Sequence, residues 1–510
     1  MLQYQRFELT FHGEEPAGSQ SEINLKAVFT CGGTEKEVSG FYAGNGTYIV
    51  RYLPQQTGLV QWKISGLFTA EGQEECIPCE DGIHHGLVKP CGTALRYEDG
   101  TDCRPFGTTV YAMMHQPREL IDQTIETILE SPFDKVRTCV FPKHYIFNEN
   151  EPELFAFEKR EDGGFDFHRP CFAFWDAFEK MLGIMEEHQV QVDLILFHPY
   201  DCWGFSKMTK AEYLPYLNYL IARFSSFSNV WWSLANEYDC MTAFKKEDWD
   251  CIDQFISSKD VYGHMLSCHH MLEIYDFSKE NVTHCSIQGD VTAVEKLMNT
   301  YHKPVLMDEF GYEGNIFCHW GHLSGFELVH RFWLCCVQGG YGTHGETFMN
   351  PTDTLWWGKG GKLVGKSPAR IGFLKNIINE LPGALEPVPS DFVTVETLEE
   401  MRRGLRQDEQ TDFTRAVLKL PPEEAVRILE NITKDTRIYT GHCGDDAYLA
   451  YYGRHCTAVG ELELPETGEY RIEVIDVWEM TRETILTGVN GKAEFTLPGK
   501  EGIAVLAVKQ

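Results

Sequence analysis

The alternation of hydrophobic and polar positions divides the chain into three parts, of which the first is rich in short strands. Segments such as 22–30 and 46–53 alternate apolar and polar residues, and glycine-containing turns such as 31–33 separate them. A period of two residues is typical of strands that bury one face. Short strands at this spacing predict a small, immunoglobulin-like β-sandwich over residues 1–90.

The second part, residues 91–385, alternates apolar runs of strand length with segments of helical period. One helical segment carries an apolar stripe formed by Phe174, Trp175, Phe178, Met181, Leu182 and Met185. Eight runs qualify as strands, at 107–113, 135–141, 192–198, 230–235, 263–268, 284–288, 304–308 and 339–343. Eight strand–helix repeats predict a (β/α)8, or TIM, barrel. No GxGxxG follows the first strand, which weakens the alternative of an open dinucleotide-binding sheet.

The third part returns to strand-like alternation, in segments such as 468–475 and 502–508. It predicts a second β-sandwich over residues 415–510. Residues 386–414 are charged and partly helical, and we expect them to connect this sandwich to the barrel. The predicted fold is therefore α/β, a TIM barrel flanked by an N-terminal and a C-terminal β-sandwich domain.

Charge and cysteine content narrow the class of partner and the compartment. The net charge of −31 repels phosphate backbones and anionic lipid heads, so neither nucleic acid nor a membrane surface is an expected partner. The 17 cysteines are odd in number and scattered, which is typical of reduced thiols rather than of a disulfide framework. The N-terminus has no basic leader followed by an apolar core, and no apolar run is long enough to span a membrane. We therefore predict a cytoplasmic protein.

The ends of two predicted barrel strands carry the candidate chemistry. The fourth strand is followed by Asn236 and Glu237, and the seventh ends in Asp308 and Glu309. Loops after the strands build the active site of a TIM barrel, and strands four and seven lie on opposite sides of it. Glu237 and Glu309 could then face each other across one sugar bond, as glycoside hydrolysis requires. The alternative for each residue alone is a salt-bridged loop carboxylate.

Other strand ends are polar as well and supply candidate substrate-binding groups. They comprise Lys143 and His144 after strand two, His198 after strand three, His269 and His270 after strand five, Gln288 after strand six, and His344 and Glu346 after strand eight. Neighbours on a strand point to opposite faces, so Asp308 is expected to be a structural partner rather than a third catalytic acid.

With these residues in view, the chain resembles glycoside hydrolase clan A, a superfamily of retaining (β/α)8 glycosidases. The resemblance rests on Ala235-Asn236-Glu237 and on Asp308-Glu309-Phe310-Gly311. It implies that Glu237 is the general acid/base, that Glu309 is the nucleophile, and that Asn236 binds the substrate 2-hydroxyl. It further implies that Arg137 steadies the nucleophile and that His198 corresponds to the strand-three histidine of the clan.

A narrower resemblance, to the apiosidase-like branch of these enzymes, covers nearly the whole chain. It rests on Phe141-Pro142, Trp356-Trp357-Gly358, Lys366-Ser367-Pro368 and the two flanking β-sandwiches. It implies exo-acting cleavage of a terminal sugar, with β-apiosides as the known example. Many clan members end strand eight with a tryptophan platform, which this chain lacks. Either Trp356 or Trp357 supplies the platform from the next loop, or the subsite is more polar.

The predicted function is that of a retaining, exo-acting glycoside hydrolase that cleaves a terminal sugar from a small glycoside or oligosaccharide. We expect no cofactor. A metal site is not expected either, because strand one lacks a His-x-His pair and the CxxC formed by Cys76 and Cys79 has no second pair. A homo-oligomer is one expected assembly. The alternative function is a non-catalytic carbohydrate-binding protein on a TIM-barrel scaffold.

Overall fold

The computed structural model describes residues 1–349, 354–389, 394–404, 411–433 and 436–510. The chain forms two compact units. The first comprises residues 1–328 and 340–375, and the second comprises residues 329–339 and 376–510. None of the helices in the described part of the chain has the length and hydrophobicity that a membrane crossing requires.

The N-terminal part of the first unit is a sandwich of two antiparallel sheets. Its strands are β1 (Phe7–His12), β2 (Leu25–Cys31), β3 (Thr34–Ser39), β4 (Phe41–Gly44), β5 (Thr47–Tyr52), β6 (Gly58–Gly66) and β7 (Ala70–Cys76). One sheet has the order β1-β5-β4 and the other β3-β2-β6-β7. The inward side chains of both sheets share one core, in which Phe29 of β2 stacks on Tyr52 of β5 at 4.2 Å. The predicted strand-rich N-terminal part is therefore confirmed.

A small antiparallel sheet leads from the sandwich into an eight-stranded parallel barrel. The small sheet consists of β8 (Val88–Cys91), β9 (Ala94–Tyr97) and β10 (Asp102–Cys103). The barrel strands are β11 (Gly107–Thr109), β12 (Lys135–Cys139), β15 (Gln191–Ile195), β16 (Val230–Ser233), β17 (Leu266–Ser267), β18 (Cys285–Gln288), β19 (Val305–Glu309) and β21 (Tyr341–His344). Short pairs lie in its loops: β13 (Phe157–Lys159) with β14 (Phe165–Pro170), and β20 (Glu313–Gly314) with β22 (Glu346–Thr347).

The strand order shows that the barrel closes as predicted. The order is β17-β16-β15-β12-β11-β21-β19-β18, so that the first barrel strand pairs with the last. At the ends of this order, the Thr283 backbone N–H donates to the Leu266 carbonyl oxygen at 2.9 Å and joins the chain around β17 to that before β18. Each of the eight strands overlaps one of the eight predicted strand segments, because strands of a parallel barrel are covered on both faces and are therefore mostly apolar. The TIM-barrel prediction is confirmed.

The helices between the barrel strands follow the predicted apolar stripes. They are α1 (Arg118–Glu130), α2 (Phe172–Glu187), α3 (Lys210–Phe224), α4 (Lys246–Lys259), α5 (Val294–Tyr301), α6 (Gly325–Val337), α7 (Trp356–Lys359) and α8 (Ser367–Glu380). In α2, every residue of the predicted stripe is buried. Helix α3 starts with a capping box, in which Thr209 and Glu212 satisfy each other's backbone N–H groups.

The barrel interior below the site is charged rather than apolar. Lys135 and Arg137 point inward from β12, because residues two apart on a strand share a face. Lys135 Nζ lies 2.8 Å from Asp308 Oδ1 and 3.2 Å from Asp193 Oδ2, and Arg137 Nε lies 3.2 Å from the same Asp193 oxygen. Asp308 also accepts from Ser286 Oγ at 2.6 Å. This network anchors Arg137, and it holds Asp308 as a structural carboxylate.

Replacing Asp308 with Ala is expected to destabilise the barrel by about 3–5 kcal/mol, since it leaves buried cations short of their counter-charge. The check is the unfolding midpoint in urea, followed by tryptophan fluorescence. The control is Asp162→Ala, because Asp162 pairs with Arg160 at the exposed surface, where solvent screens the ion pair. Equal midpoints for the two variants would contradict the structural role of Asp308.

The second unit is built around a C-terminal sandwich. Its strands are β23 (Glu386–Pro387), β24 (Tyr439–Cys443), β25 (Ala447–Tyr451), β26 (Val459–Glu463), β27 (Tyr470–Asp476), β28 (Thr481–Val489), β29 (Lys492–Thr496) and β30 (Ile503–Lys509). The six-stranded sheet has the order β23-β24-β25-β30-β27-β28, and β26 pairs with β29. Side chains from both sheets, such as Phe495 of β29 and Val505 of β30, share one core.

Helices precede most strands of this sandwich. They are α9 (Val395–Gly404), α10 (Asp412–Leu418) and α11 (Pro422–Thr433), and they pack through Leu398, Val417 and Ala425. The predicted connection 386–414 coincides partly with α9, while 390–393 and 405–410 lie outside the described residues. The domain boundaries at 90, 385 and 415 stay predictions.

Candidate active site

Two glutamates stand at the carboxyl ends of barrel strands β16 and β19. Glu309 is the last residue of β19, and Glu237 follows β16 by four residues. Glu237 has φ 52° and ψ 55°, a left-handed conformation that costs a non-glycine residue about 1–2 kcal/mol. Such strain is typical of positions whose side-chain direction matters for function.

The carboxylate of Glu309 is surrounded by hydrogen-bond donors. Tyr111 follows β11, and its hydroxyl donates to Glu309 Oε1. Arg137 Nη1 and His269 Nε2 each lie 3.7 Å from the same oxygen. Burial and the negative charge of Glu309 raise the pKa of Tyr111 well above its usual value, so this hydroxyl keeps its proton and acts as the donor.

Glu237 lies in a different environment, which favours its protonated form. Burial, and next the negative charge of Glu309, raise its pKa to about 7, although Lys143 and Tyr200 act in the opposite direction. The Tyr200 hydroxyl donates to Glu237 Oε2. Gln288, with its amide nitrogen turned toward Glu237, donates to Oε1 at 3.2 Å. At neutral pH a large fraction of Glu237 therefore carries a proton.

Shared neighbours connect the two glutamates. The Tyr111 hydroxyl that donates to Glu309 also lies 3.0 Å from Asn236 Oδ1. The His269 ring lies between them, with Nδ1 3.4 Å from the Glu237 backbone nitrogen and Nε2 facing Glu309. Burial, and next the charge of Arg137, lower the pKa of His269 well below its usual value, so the ring is neutral. One cleft thus holds a protonatable acid and a carboxylate, the pair that general acid and nucleophilic catalysis need.

The structure brings some of the other predicted residues to this cleft. Trp357 packs edge-on against Tyr111, with ring centroids 5.5 Å apart. His198 lies deeper, where Nε2 is 3.1 Å from the Phe141 carbonyl oxygen. Burial, and next the charge of Lys143, lower the pKa of His198 to about 4, so it is neutral at physiological pH.

Three predicted substrate-binding residues have other partners. His344 stacks on Phe133 at 4.5 Å, with Nδ1 3.0 Å from Thr108 Oγ1, and Trp356 Nε1 donates to the same oxygen at 2.9 Å. Glu346 accepts the backbone N–H groups of Val364 and Gly365, each at 2.9 Å. Their substrate-binding role stays a prediction: these contacts engage some of their polar atoms, while His344 Nε2 is buried with no hydrogen-bond partner among the described residues.

Sequence reasoning missed two residues of the cleft, Tyr111 and Tyr200, and it noted Lys143 only as one of the polar residues at strand ends. Lys143 Nζ lies 3.4 Å from the Tyr111 ring centroid and 4.3 Å from that of Tyr200. Tyr111 and Tyr200 also follow barrel strands, β11 and β15, so the strand-end rule could have found them.

Among the described residues, one group has the spacing of a metal site, and it lies away from the barrel strand ends. Cys79, Asp81 and His84 offer ligand atoms within 4.8 Å of one another in the chain that follows β7. Asp81 accepts the backbone N–H of Ile83 at 2.8 Å and contacts His84 Nδ1 at 2.7 Å. These hydrogen bonds within the loop account for the cluster.

Comparison with known families agrees with this geometry. The family model described as "Apiosidase-like, catalytic domain" matches residues 92–354. Residues 1–66 match a domain of unknown function (DUF5060), and residues 437–507 match another (DUF5605). No curated protein matches the chain.

Solved structures extend the likeness to the whole chain. A protein from Bacteroides vulgatus ATCC 8482, provisionally described as a glycoside hydrolase, is 30% identical with a TM-score of 0.85. The match covers 100% of this chain and 99% of that one. A family 5 glycoside hydrolase from the same organism is 15% identical with a TM-score of 0.60, over 84% of this chain and 93% of that one. The second match supports the fold alone.

Proposed function

Because the chain belongs to the apiosidase-like family of glycoside hydrolases, we propose that it is a retaining, exo-acting β-glycosidase. The observation that supports this most is the pairing of a buried Glu237, whose pKa is raised to about 7, with a carboxylate at Glu309 in the same cleft. Two carboxyl groups in opposite protonation states are what a double displacement requires.

In the first step, the protonated Glu237 donates its proton to the glycosidic oxygen while the bond from that oxygen to the anomeric carbon breaks. Glu309 attacks the anomeric carbon from the opposite face and forms a glycosyl ester. The aglycone leaves as an alcohol. In the second step, Glu237 takes a proton from water, whose oxygen attacks the anomeric carbon and releases Glu309 as a carboxylate.

The electrostatic coupling between the glutamates allows Glu237 to exchange roles between the two steps. The negative charge of Glu309 is one cause of the raised pKa of Glu237. Ester formation consumes that charge, so the pKa of Glu237 falls and the group ionises in time to act as a base. Arg137, held by Asp193 and Asp308, supplies a fixed positive charge 3.7 Å from Glu309.

The substrate we propose is a small glycoside or oligosaccharide from which one terminal sugar is removed, β-apiose or another β-linked sugar. Asn236 would bind the 2-hydroxyl, and Trp357 would supply an aromatic wall of the subsite. The cytoplasmic location and the oligomeric state stay predictions.

The test is a panel of nitrophenyl glycosides and apiosylated flavonoids, with the first-formed anomer followed by proton NMR. Release of the β-anomer from a β-glycoside supports the proposal. Initial release of the α-anomer would show inversion and overturn the retaining mechanism. Sugar binding without release of any aglycone would favour the alternative of a non-catalytic carbohydrate-binding protein.

A further inference from the structure

Lys143 is a buried cation in the wall of the cleft. It lies in the loop after β12 and is only 2% exposed. Besides the Tyr111 and Tyr200 rings, its Nζ faces the rings of Tyr145 and Trp357, at 5.4 and 5.5 Å. Four aromatic faces thus surround one ammonium group.

The ammonium of Lys143 forms no direct ion pair in the described part of the chain, unlike the other cations near the site, and the charges of Glu237 and Glu309 act on it only at longer range. Lys135 and Arg137 pair with Asp193 and Asp308 in the barrel interior. Within the described ranges, Lys143 Nζ forms no ion pair and no hydrogen bond; burial lowers the pKa of Lys143, while Cys139, Glu237 and Glu309 act to raise it. Aromatic rings compensate a buried cation only in part, and they satisfy none of its three N–H donors. Such a residue is poised to bind an acceptor from outside the protein chain.

The position of Lys143 indicates that this acceptor would be a group of the bound sugar. The two rings nearest to Nζ belong to the tyrosines that donate to the glutamates, Tyr111 to Glu309 and Tyr200 to Glu237. A group bound to Nζ would therefore lie close to the residues that hold both glutamates.

Other polar atoms around Lys143 are also buried donors without a hydrogen-bond partner in the described part of the chain. Asn236 Nδ2, Trp357 Nε1 and the Tyr145 hydroxyl are buried and have no hydrogen-bond partner among the described residues. An amide nitrogen and an indole nitrogen only donate, and a hydroxyl can donate. The hydroxyls of a neutral sugar need acceptors as well as donors. A carboxylate is acceptor-only and forms its strongest hydrogen bonds with charged donors.

We propose that Lys143 binds the carboxylate of a uronic acid, so that the substrates are glycosides of an acidic terminal sugar. This inference rests on the proposed glycosidase function and deepens it. Lys143 is then the residue that sets specificity. It selects an acidic sugar over a neutral one such as apiose, because a neutral sugar would leave the buried ammonium without a direct ion-pair partner.

The test compares nitrophenyl β-D-glucuronide and β-D-galacturonide with their methyl esters and with the matching glucoside and galactoside. The methyl ester keeps the shape of the acid and removes its charge. We expect kcat/KM for one of the free acids to exceed that for its ester and its neutral counterpart by about 30-fold or more. Preference for a neutral glycoside over both acids would overturn the inference and leave the glycosidase function intact.

Variants of Lys143 test whether its side chain causes the preference for an acidic sugar. Lys143→Met keeps an apolar chain in the aromatic cage and is expected to lose the preference, with kcat/KM for the acid reduced by about 30-fold or more. Lys143→Arg keeps the charge and should retain part of the preference. The control is Lys159→Met, because Lys159 also lies over a ring, that of Phe155 at 4.4 Å, but on the surface. A preference that survives in Lys143→Met would refute the role of Lys143.

If the glycosidase proposal itself fails, measurements of sugar binding test the inference that Lys143 binds a carboxylate. Should no glycoside of the panel be cleaved, calorimetry with free D-glucuronate and D-galacturonate, against glucose and galactose, replaces turnover. Binding of an acid that is lost in Lys143→Met supports the acidic-ligand inference. Equal binding, or no binding, of the acids and the neutral sugars overturns it.

Discussion

Glu309→Gln is expected to lower kcat by about 10⁵-fold while the protein keeps its fold, because the amide cannot form the glycosyl ester. The replacement preserves the volume of the side chain and an oxygen that can accept from Tyr111. The measurements are the turnover of a nitrophenyl glycoside that the wild-type protein cleaves and the thermal unfolding midpoint. We expect the midpoint to change by only a few degrees.

The control for this prediction is Glu295→Gln, since Glu295 is also a buried glutamate but lies on helix α5. Its kcat should stay within a few-fold of that of the wild type. Azide supplies a second check. With Glu309→Gly, azide should attack the anomeric carbon in place of the carboxylate and give a glycosyl azide of inverted configuration. An azide product of retained configuration would assign Glu309 to the acid/base role instead.

The second large effect concerns pH. Glu237 must be protonated in the first step, and its pKa is raised to about 7 by burial and by the charge of Glu309. The protonated fraction is nearly complete well below that pKa and falls about tenfold per pH unit above it. We therefore expect kcat/KM to decline on the alkaline side of about pH 7. The measurement is a pH profile of kcat/KM for a glycoside with a poor leaving group.

Glu237→Gln should remove this alkaline limb and lower kcat/KM for the poor leaving group by about 10²–10⁴-fold. A dinitrophenyl glycoside needs little proton donation, so its rate of glycosyl-enzyme formation should change far less. An alkaline limb that persists unchanged in Glu237→Gln would rule out Glu237 as its source.

Variants of Tyr200 and Tyr145 test how the Tyr200 hydrogen bond changes the pKa of Glu237. The Tyr200 hydroxyl donates to Glu237 and lowers its pKa, so Tyr200→Phe should move the alkaline limb to higher pH. The Tyr145 hydroxyl has no partner among the described residues, so Tyr145→Phe should leave the limb where it is. Equal shifts in the two variants would contradict the role of the Tyr200 hydrogen bond.

Much of the candidate site was predictable because its signals are local. Glu237 lies four residues beyond β16 and Glu309 is the last residue of β19, and a parallel barrel places the carboxyl ends of all its strands on one face. The same rule selected Asn236, His269 and Gln288 as candidates, whereas Arg137 lies within β12 and was a candidate only through the family resemblance; the roles of all four stay predictions. None of these predictions needed to know which loop packs on which.

Whether a residue near a strand end joins the candidate site or contacts other residues depends on the direction in which its side chain points. Near the end of a strand, the directions in which successive side chains point no longer follow simple alternation. The register between β18 and β19 shifts between Ile287 and Gln288, so that Gln288 pairs with Glu309. His344 turns to Thr108 and Phe133, although it ends β21 in the same way that Glu309 ends β19. Sequence position alone could not separate these two outcomes.

The sequence by itself determined the barrel, its two flanking sheet domains and the two glutamates, because apolar periodicity and strand order are written in short segments of chain. Only the tertiary structure decided the protonation states and the donor-rich wall of the cleft. The raised pKa of Glu237 needs burial together with a second carboxylate from a strand on the far side of the barrel. The aromatic cage of Lys143 is likewise assembled from separate loops, which contribute Tyr111, Tyr200 and Trp357. Electrostatic energies depend on distance and solvent exclusion in space, and neither quantity exists until the chain has folded.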